Sequence, residues 1–210
     1  MKMKKPIIKG ELQLYDKDLN HVIDSTHIDY AKVNGNKLVS KDKFRIIFDT
    51  VIFDKTIFTD NIFEKAEFID CIFNNCDFSN TAFYSSTFIR CEFNHSKLSG
   101  SHFVESFLND CLFNDCLAEY VDYADNKMKQ ILFIEVKMNE SNWFDNNFKN
   151  VEFEKCNLKK ALVHKTKLNT IDFSTSDIDD IRIDQNSIKG LTIASWQASE
   201  ICRLFGLKIK

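Results

Sequence analysis

Residues 48–93 read FDTVIFDKTIFTDNIFEKAEFIDCIFNNCDFSNTAFYSSTFIRCEF, and every fifth position is phenylalanine: Phe48, Phe53, Phe58, Phe63, Phe68, Phe73, Phe78, Phe83, Phe88 and Phe93. The register continues with large apolar residues, Ala118 excepted, through Leu98, Phe103, Leu108, Phe113, Tyr123, Met128, Phe133, Met138, Trp143, Phe148, Phe153, Leu158, Val163, Leu168, Phe173, Ile178, Ile183, Ile188 and Ile193. No residue is inserted or lost between 48 and 193. A period of five fits neither the 3.6 of an amphipathic helix nor the 2 of a strand, so the chain is a repeat architecture.

A second register runs two residues earlier, through Ala66, Cys71, Cys76, Thr81, Ser86, Cys91, Ser96, Ser101, Ser106, Cys111, Cys116 and Val121, then Val136, Ser141, Val151, Cys156, Ala161, Thr166 and Ile171. Small or β-branched side chains recur there because a second inward position shares the interior with a bulky neighbour. The other three positions of each pentad are mostly Asp, Asn, Glu, Lys, Ser and Thr, as a solvated face requires. This pattern resembles the pentapeptide-repeat family. The resemblance implies an all-β fold, a right-handed quadrilateral parallel β-helix with four pentads per coil.

Composition agrees with a solenoid. Phe numbers 20, most of them on the register, while Gly numbers 5 and Pro 1, too few for a collagen-like or disordered chain. The start, Met-Lys-Met-Lys-Lys, is basic, but Pro6-Ile7-Ile8 is too short for the apolar part of a signal peptide, and no stretch approaches a membrane span. A cytoplasmic location is expected. Of the 7 Cys, six lie on the small inward register and none forms a Cys-x2-Cys pair. They read as reduced, buried fillers rather than metal ligands or disulfides.

In chain order, residues 1–20 carry no repeat, and Ile7, Ile8, Leu12 and Leu14 are expected to cover the first coil, since an open solenoid end exposes backbone groups and core. Residues 21–45 read as a degenerate first coil through Ile23, Ile28, Val33 and Leu38. Lys43 falls on a core slot beside Phe44, so a bulge is expected near 41–45. The repeat domain thus spans 21–193 and is regular from 46. Four pentads per coil stack residues twenty apart, and Phe53, Phe73, Phe93, Phe113, Phe133, Phe153 and Phe173 form one ladder.

After Ile193 the pattern turns helical: Ser195 reads as N-cap, Ala198, Ile201, Cys202 and Phe205 keep helical spacing, and Gly206 reads as the stop, with Leu207-Lys208-Ile209 strand-like beyond it. So short a helix must dock, either capping its own rod or exchanging across a two-fold dimer. The tail Gly190-Leu191-Thr192-Ile193, Gln197-Ala198-Ser199, Gly206-Leu207 and Ile209 is similar to that of the Qnr-type quinolone-resistance proteins. That resemblance implies a DNA-mimicking homodimer that binds the type II topoisomerases DNA gyrase and topoisomerase IV and protects them from quinolones. It assigns dimerisation to the segment 194–210, with Trp196, Gln197, Ala198, Leu204, Phe205, Leu207 and Ile209. The loops that project from Gram-negative members have no counterpart here.

Charge bears on mimicry. Residues 48–193 hold 24 Asp plus Glu against 15 Lys plus Arg, so a net charge of −3 for the chain conceals an acidic rod with basic ends. Glu105, Asp125 and Asp145 share one outward column, with Asp122 one step away, and these four are the candidate partner-binding residues. Stacked like charges repel modestly at a wet surface, and a groove built to hold phosphates would reward them. Outward Asp is also what solubility alone would require, so a scaffolding solenoid with an unrelated protein partner is the second reading. An enzyme is the third and weakest. His95, His102 and His164 fall on outward positions, on different faces, with no partnered nucleophile, and Ser and Thr are abundant for steric reasons. No catalytic residue, metal, cofactor, membrane contact or direct nucleic-acid contact is expected.

Overall fold

The computed structural model describes residues 3–21, 24–38 and 42–208. It is a four-sided parallel β-solenoid that closes with one short helix. Each coil takes twenty residues, and Phe53 pairs with Phe73, Phe73 with Phe93 and Phe93 with Phe113 in unbroken parallel register. The first and second faces, centred on Phe48 and Phe53 in their coil, join in one sheet whose strands Ile47–Asp54, Phe107–Asn114, Lys127–Ile134 and Asn147–Glu154 run round the corner between them. The third face, centred on Phe58, makes single bridges from Lys37 through Ile57, Asp77 and Lys97 to Asp177. The fourth, centred on Phe63, is an eight-stranded sheet from Asp42–Phe44 to Arg182–Ile183.

The corners explain the period. Among the described residues 27 non-glycine residues have φ between 44° and 60°, each at a position divisible by five, and Gly35, Gly100 and Gly190 share that phase. One left-handed residue per pentad turns the chain and aims its N–H at the next coil, as Lys55 donates to the Asn74 carbonyl and Asn75 to that of Asn94, each at 2.9 Å. Asp and Asn tolerate this conformation better than most residues and Gly best. A Cβ at Gly100 would also lie 2.5 Å from the Asn80 side-chain oxygen.

The core is a set of aromatic columns. Phe53, Phe73, Phe93, Phe113, Phe133 and Phe153 stack at 5.1, 4.7, 4.7, 4.9 and 5.0 Å between centroids. Phe63, Phe83, Phe103, Tyr123 and Trp143 form a second column at 5.3, 4.8, 5.1 and 4.3 Å. The expected ladder ends one ring early: Phe173 meets Phe153 edge-on at 78°. Thr170 and Thr175 flank it without the left-handed turn, so the coil there has a different outline.

Small inward residues do more than save space. Ser96 donates to the carbonyls of Phe73 (3.2 Å) and Asn94 (3.0 Å), and Cys91 places its thiol 3.2 Å from the Phe68 carbonyl. Asn126 and Asn146, too large to fit a simple rule of size, occupy the same register. Asn126 donates to the Phe103 carbonyl and Asn146 to that of Tyr123, both at 2.8 Å, and the Asn146 oxygen accepts the Asn126 N–H.

Both ends depart from expectation. Within 42–44 there is no bulge: β3 (Asp42–Phe44) pairs in register with Ile62–Glu64, Lys43 opposite Phe63, and Lys43 is buried. A lysine stem is long and apolar enough to fill the slot a ring takes in the next coil. β1 (Gln13–Leu14) lies parallel to β2 (His27–Asn34), offset by eighteen rather than twenty residues, and Leu19 is buried over the first coil. Ile7 and Ile8, expected over the end of the rod, lie instead on its flank, where the Ile7 N–H reaches Asp70 at 2.8 Å and that of Lys4 reaches Asp110 at 2.9 Å. Ile23 is outside the described residues.

Ser195 opens a single 3-10 turn, Ser195–Gln197, with Ala194 preceding it, and α1 (Ala198–Leu204) follows. Gly206, at φ 73°, ends the helix: its N–H meets the Arg203 carbonyl at 2.9 Å, and that of Leu207 meets Cys202 at 3.2 Å, a paired closure that favours glycine at this position. No regular strand forms at 207–208.

Candidate functional site

The fourth-face corner column runs Lys65, Ser85, Glu105, Asp125, Asp145, Lys165, each residue left-handed and one coil above the last. Adjacent coils lie ~4.8 Å apart, the strand spacing of a sheet. Glu105, Asp125 and Asp145 are exposed. Their only neutral neighbour in the column, Ser85, donates to Glu105 at 3.2 Å. Lysines bound the column at both ends, where Lys65 lies 5.3 Å over the Phe44 ring and Lys165 5.1 Å over Phe144. Left-handed geometry favours Asp at two of the three acidic positions whatever the charge does; Glu105 has no such conformational reason.

Asp122 stands apart from this column. It is half-buried in the row His102–Asp122–Asn142, accepts from Asn142 at 2.7 Å and lies 3.5 Å from His102 Nδ1. Hydrogen bonding within its own sheet takes up most of its carboxylate, so the exposed acids of this edge are the three of the column and Asp122 is not a fourth. His95 pairs with Asp115 (3.0 Å) at another corner, whereas His164, expected on a different face from His102, shares the fourth-face sheet with it and lies 3.6 Å from Asp184 beside the Lys165 corner.

The tail separates into two kinds of residue. Gln197 is fully buried and serves its own chain: Nε2 donates to the carbonyls of Phe173 (2.9 Å) and Ser176 (2.7 Å), and its oxygen accepts the Ala194 N–H at 2.7 Å. It is a plug, withdrawn from any surface. Leu204 is half-buried against the core. Trp196, Phe205 and Leu207 are 63, 50 and 57% exposed, and Ala198 is exposed as well. Ile209 lies outside the described residues.

The buried cysteines are poor nucleophiles. All seven are free, and six are buried. Burial pushes the thiols of Cys76, Cys116 and Cys156 up to about 12, so at neutral pH they hold their protons and the nucleophilic form is scarce. Among the described residues no group of three His, Cys, Asp or Glu is placed to hold a metal ion, and no helix is long and apolar enough to cross a membrane.

Two features escaped the sequence. One is the Asn126–Asn146 ladder, whose signal was amides, Asn61 among them, in slots held mostly by small or β-branched residues. The other is the docked amino-terminal arm, and its signal lay in the apolar outward positions Ile69, Ile72, Ile89 and Leu112, which flank the corner it crosses and are half-buried.

A coil of four pentads, corners turned by one left-handed residue and aromatic columns inside make this a four-sided parallel β-helix. The family model described as the pentapeptide repeat region matches residues 86–163. A trypsin-treated form of QnrB1, a plasmid-mediated fluoroquinolone resistance protein, aligns over 85% of this chain and 97% of its own at 14% identity, with a TM-score of 0.41. HetL, a pentapeptide repeat protein involved in heterocyst differentiation regulation from the cyanobacterium Nostoc, aligns over 82% and 91% at 10% identity and 0.37. Rfr23 from the cyanobacterium Cyanothece aligns over 49% and 63% at 15% identity and 0.33. No curated sequence matches the chain. Identities of this size carry no function across.

Proposed function

We propose that this protein is a DNA-mimicking rod that binds a type II topoisomerase, DNA gyrase or topoisomerase IV, and shields it from quinolones as a homodimer joined through its carboxyl-terminal tail. The observation that carries this reading is the acidic, uninterrupted body: 24 acids against 15 bases between 48 and 193, with Glu105, Asp125 and Asp145 aligned on one edge. A groove that grips duplex DNA offers cations at regular intervals along a stiff anionic column, and this edge meets those terms without a nucleotide. The tail's likeness to the quinolone-resistance group supports a topoisomerase groove over others. The exposed Trp196, Phe205 and Leu207 supply the apolar patch a dimer needs.

Gyrase supercoiling with a quinolone, run with and without the protein, tests the reading. Restored supercoiling and competition with DNA for the enzyme are expected. The informative variant is Glu105→Gln/Asp125→Asn/Asp145→Asn, which removes charge while keeping corner residues that tolerate the left-handed turn. Loss of protection with unchanged thermal stability supports mimicry by this edge. Full protection by the neutralised rod removes the edge from the mechanism, and no effect of the wild-type rod on supercoiling leaves the scaffolding reading.

A further inference from the structure

The amino-terminal arm lies where no solenoid end needs covering. Residues 4–7 run along the corner between the first and second faces, against the direction of coil growth: Ile7 N–H to the Asp70 carboxylate, then Lys4 N–H to that of Asp110 two coils on. Between them, Arg90 clamps Asp70 with two bonds of 2.6 Å from Nε and Nη2, and on the far side Asn109 donates to Asp110 at 2.9 Å. Asp70 and Asp110 are only 6% exposed, an unusual state for carboxylates on an outward corner. Lys4 and Lys5 remain exposed, while Met3, Pro6 and Ile8 are half-buried.

Spacing gives the arrangement its meaning. Two coils span ~9.6 Å at the sheet spacing. Three residues of polyproline II, one full turn, rise ~9.3 Å and bring the fourth N–H back to the same side. A β-strand, with a period of two, would turn residues 4 and 7 to opposite sides. Pro6 stands between the two donors, where no N–H is required, and favours the extended conformation. The corner is therefore commensurate with one turn of extended peptide per two coils, and its oriented carboxylates accept main-chain N–H groups, whatever side chains the peptide bears.

We propose that the Asp70–Arg90–Asp110 corner is a linear-peptide site, filled in cis by the chain's own arm and open to an extended Lys-Lys-Pro-aliphatic segment of a partner protein once the arm leaves. The segment's sequence is taken from the arm that now fills the corner, Lys4-Lys5-Pro6-Ile7: its two lysines stand exposed, and the half-buried outward residues Ile69, Ile89 and Leu112 beside the carboxylates give it an apolar flank. The site is independent of the topoisomerase reading, because neither Glu105, Asp125 and Asp145 nor the tail takes part in it.

The test uses full-length protein and a fluorescent peptide of residues 1–10. Lys4→Pro/Ile7→Pro deletes both donated N–H groups and undocks the arm without touching the corner. Peptide binding at least tenfold tighter to this variant than to wild type, and lost again when Asp110→Ala is added, is expected. Circular dichroism verifies that each variant is folded. A folded double-proline variant that binds no peptide, or binds it no better than wild type does, overturns the proposal. Dimers of wild type that dissociate in the double-proline variant with no peptide present would make a second copy's arm the occupant and overturn the assignment to a partner protein.

Discussion

The side-chain amide of Gln197 donates to the carbonyl of Phe173 at 2.9 Å, twenty-four residues back in the coil where the aromatic column ends. Its second bond, to Ser176, and its acceptance of the Ala194 N–H make one side chain the fastening between solenoid and tail. Gln197→Leu keeps the volume and strips the bonds, leaving the Ser176 carbonyl and the Ala194 N–H without this partner, while the Phe173 carbonyl still accepts the Ser176 N–H at 3.0 Å. A loss of about 2–4 kcal/mol is expected at one to three per unpaired group, softened by relaxation. Urea denaturation reads the loss, and faster tryptic cleavage at Arg203 shows that the tail has come free.

Phe93 sits between Phe73 and Phe113 at 4.7 Å on either side and meets Phe78 edge-on at 5.7 Å. Neighbouring coils are held by their own hydrogen bonds and cannot collapse into the space a missing ring leaves. Phe93→Ala should destabilise by about 3–5 kcal/mol. Phe173, edge-on and at the end of its column, has less to lose: Phe173→Ala should cost less than Phe93→Ala. Equal midpoints in urea for the two variants would show that stacking along the column contributes nothing of its own.

The period of five carried most of the fold because each pentad states its own geometry: a ring for the axis, a small residue with a donor for the turn, a residue tolerant of positive φ for the corner. Cys71 and Cys91 were legible as fillers for the same reason. What could not be read depends on contacts far apart in sequence. Lys4 and Asp110 are separated by 106 residues, and nothing local marks Asp110 as different from the solvated Asp115. Lys43 broke the rule of the register without breaking the coil, because a flexible stem fits where the rule asks for a ring. In the tail, helical spacing located the helix, but the inward turn of Gln197 depends on carbonyls of the preceding coil that no tail pattern encodes. The acidic column was visible as charge; that Asp125 and Asp145 also serve left-handed corners emerged only from the backbone.

Asn146 is the test of the buried amide ladder. Its Nδ2 satisfies the Tyr123 carbonyl and its oxygen takes the Asn126 N–H, so Asn146→Leu would strand one acceptor and one donor in the core. A loss of about 2–4 kcal/mol follows from the cost of unpaired buried groups. Asn146→Ser should cost about 1 kcal/mol or less, since Ser86 and Ser106 make the equivalent bonds in earlier coils. Thermal melts of the two variants, side by side, separate hydrogen bonding from volume.

Asp184 makes stability at the carboxyl end of the rod depend on acid. Burial alone would raise its pKa, but the Ser187 hydroxyl and the N–H groups of Lys165, Asn186 and Ser187 bind the carboxylate and bring it down to about 2. Unfolded, it titrates near 3.9, so the folded state binds the proton more weakly and gains stability from Asp184 above that pH. The gain is lost as pH falls from about 4 through 2. Asp184→Asn should therefore be less stable than wild type at pH 7, with the gap closing below pH 4. A gap that stays constant from pH 7 to 2 would remove the carboxylate from the account.

Trp196, Phe205 and Leu207 expose large apolar surface at the same end, whereas Gln197 and Leu204 face their own rod. A docked helix that buries one side and leaves three bulky groups in water has its free side available to a second copy, and a two-fold contact would use the same patch twice. Light scattering of wild type should give the mass of a dimer. Trp196→Ser/Phe205→Ser/Leu207→Ser should give a monomer with little change in its own melting below the dimer's dissociation range, because none of the three side chains is part of the core. The Gln197→Leu variant separates the two roles of the tail: it loosens the plug that positions the patch, so it should lower both stability and dimer affinity, while the triple Ser variant lowers affinity alone. A wild-type chain that scatters as a monomer at tens of micromolar would leave the patch without its second copy and remove the dimer from the proposed function.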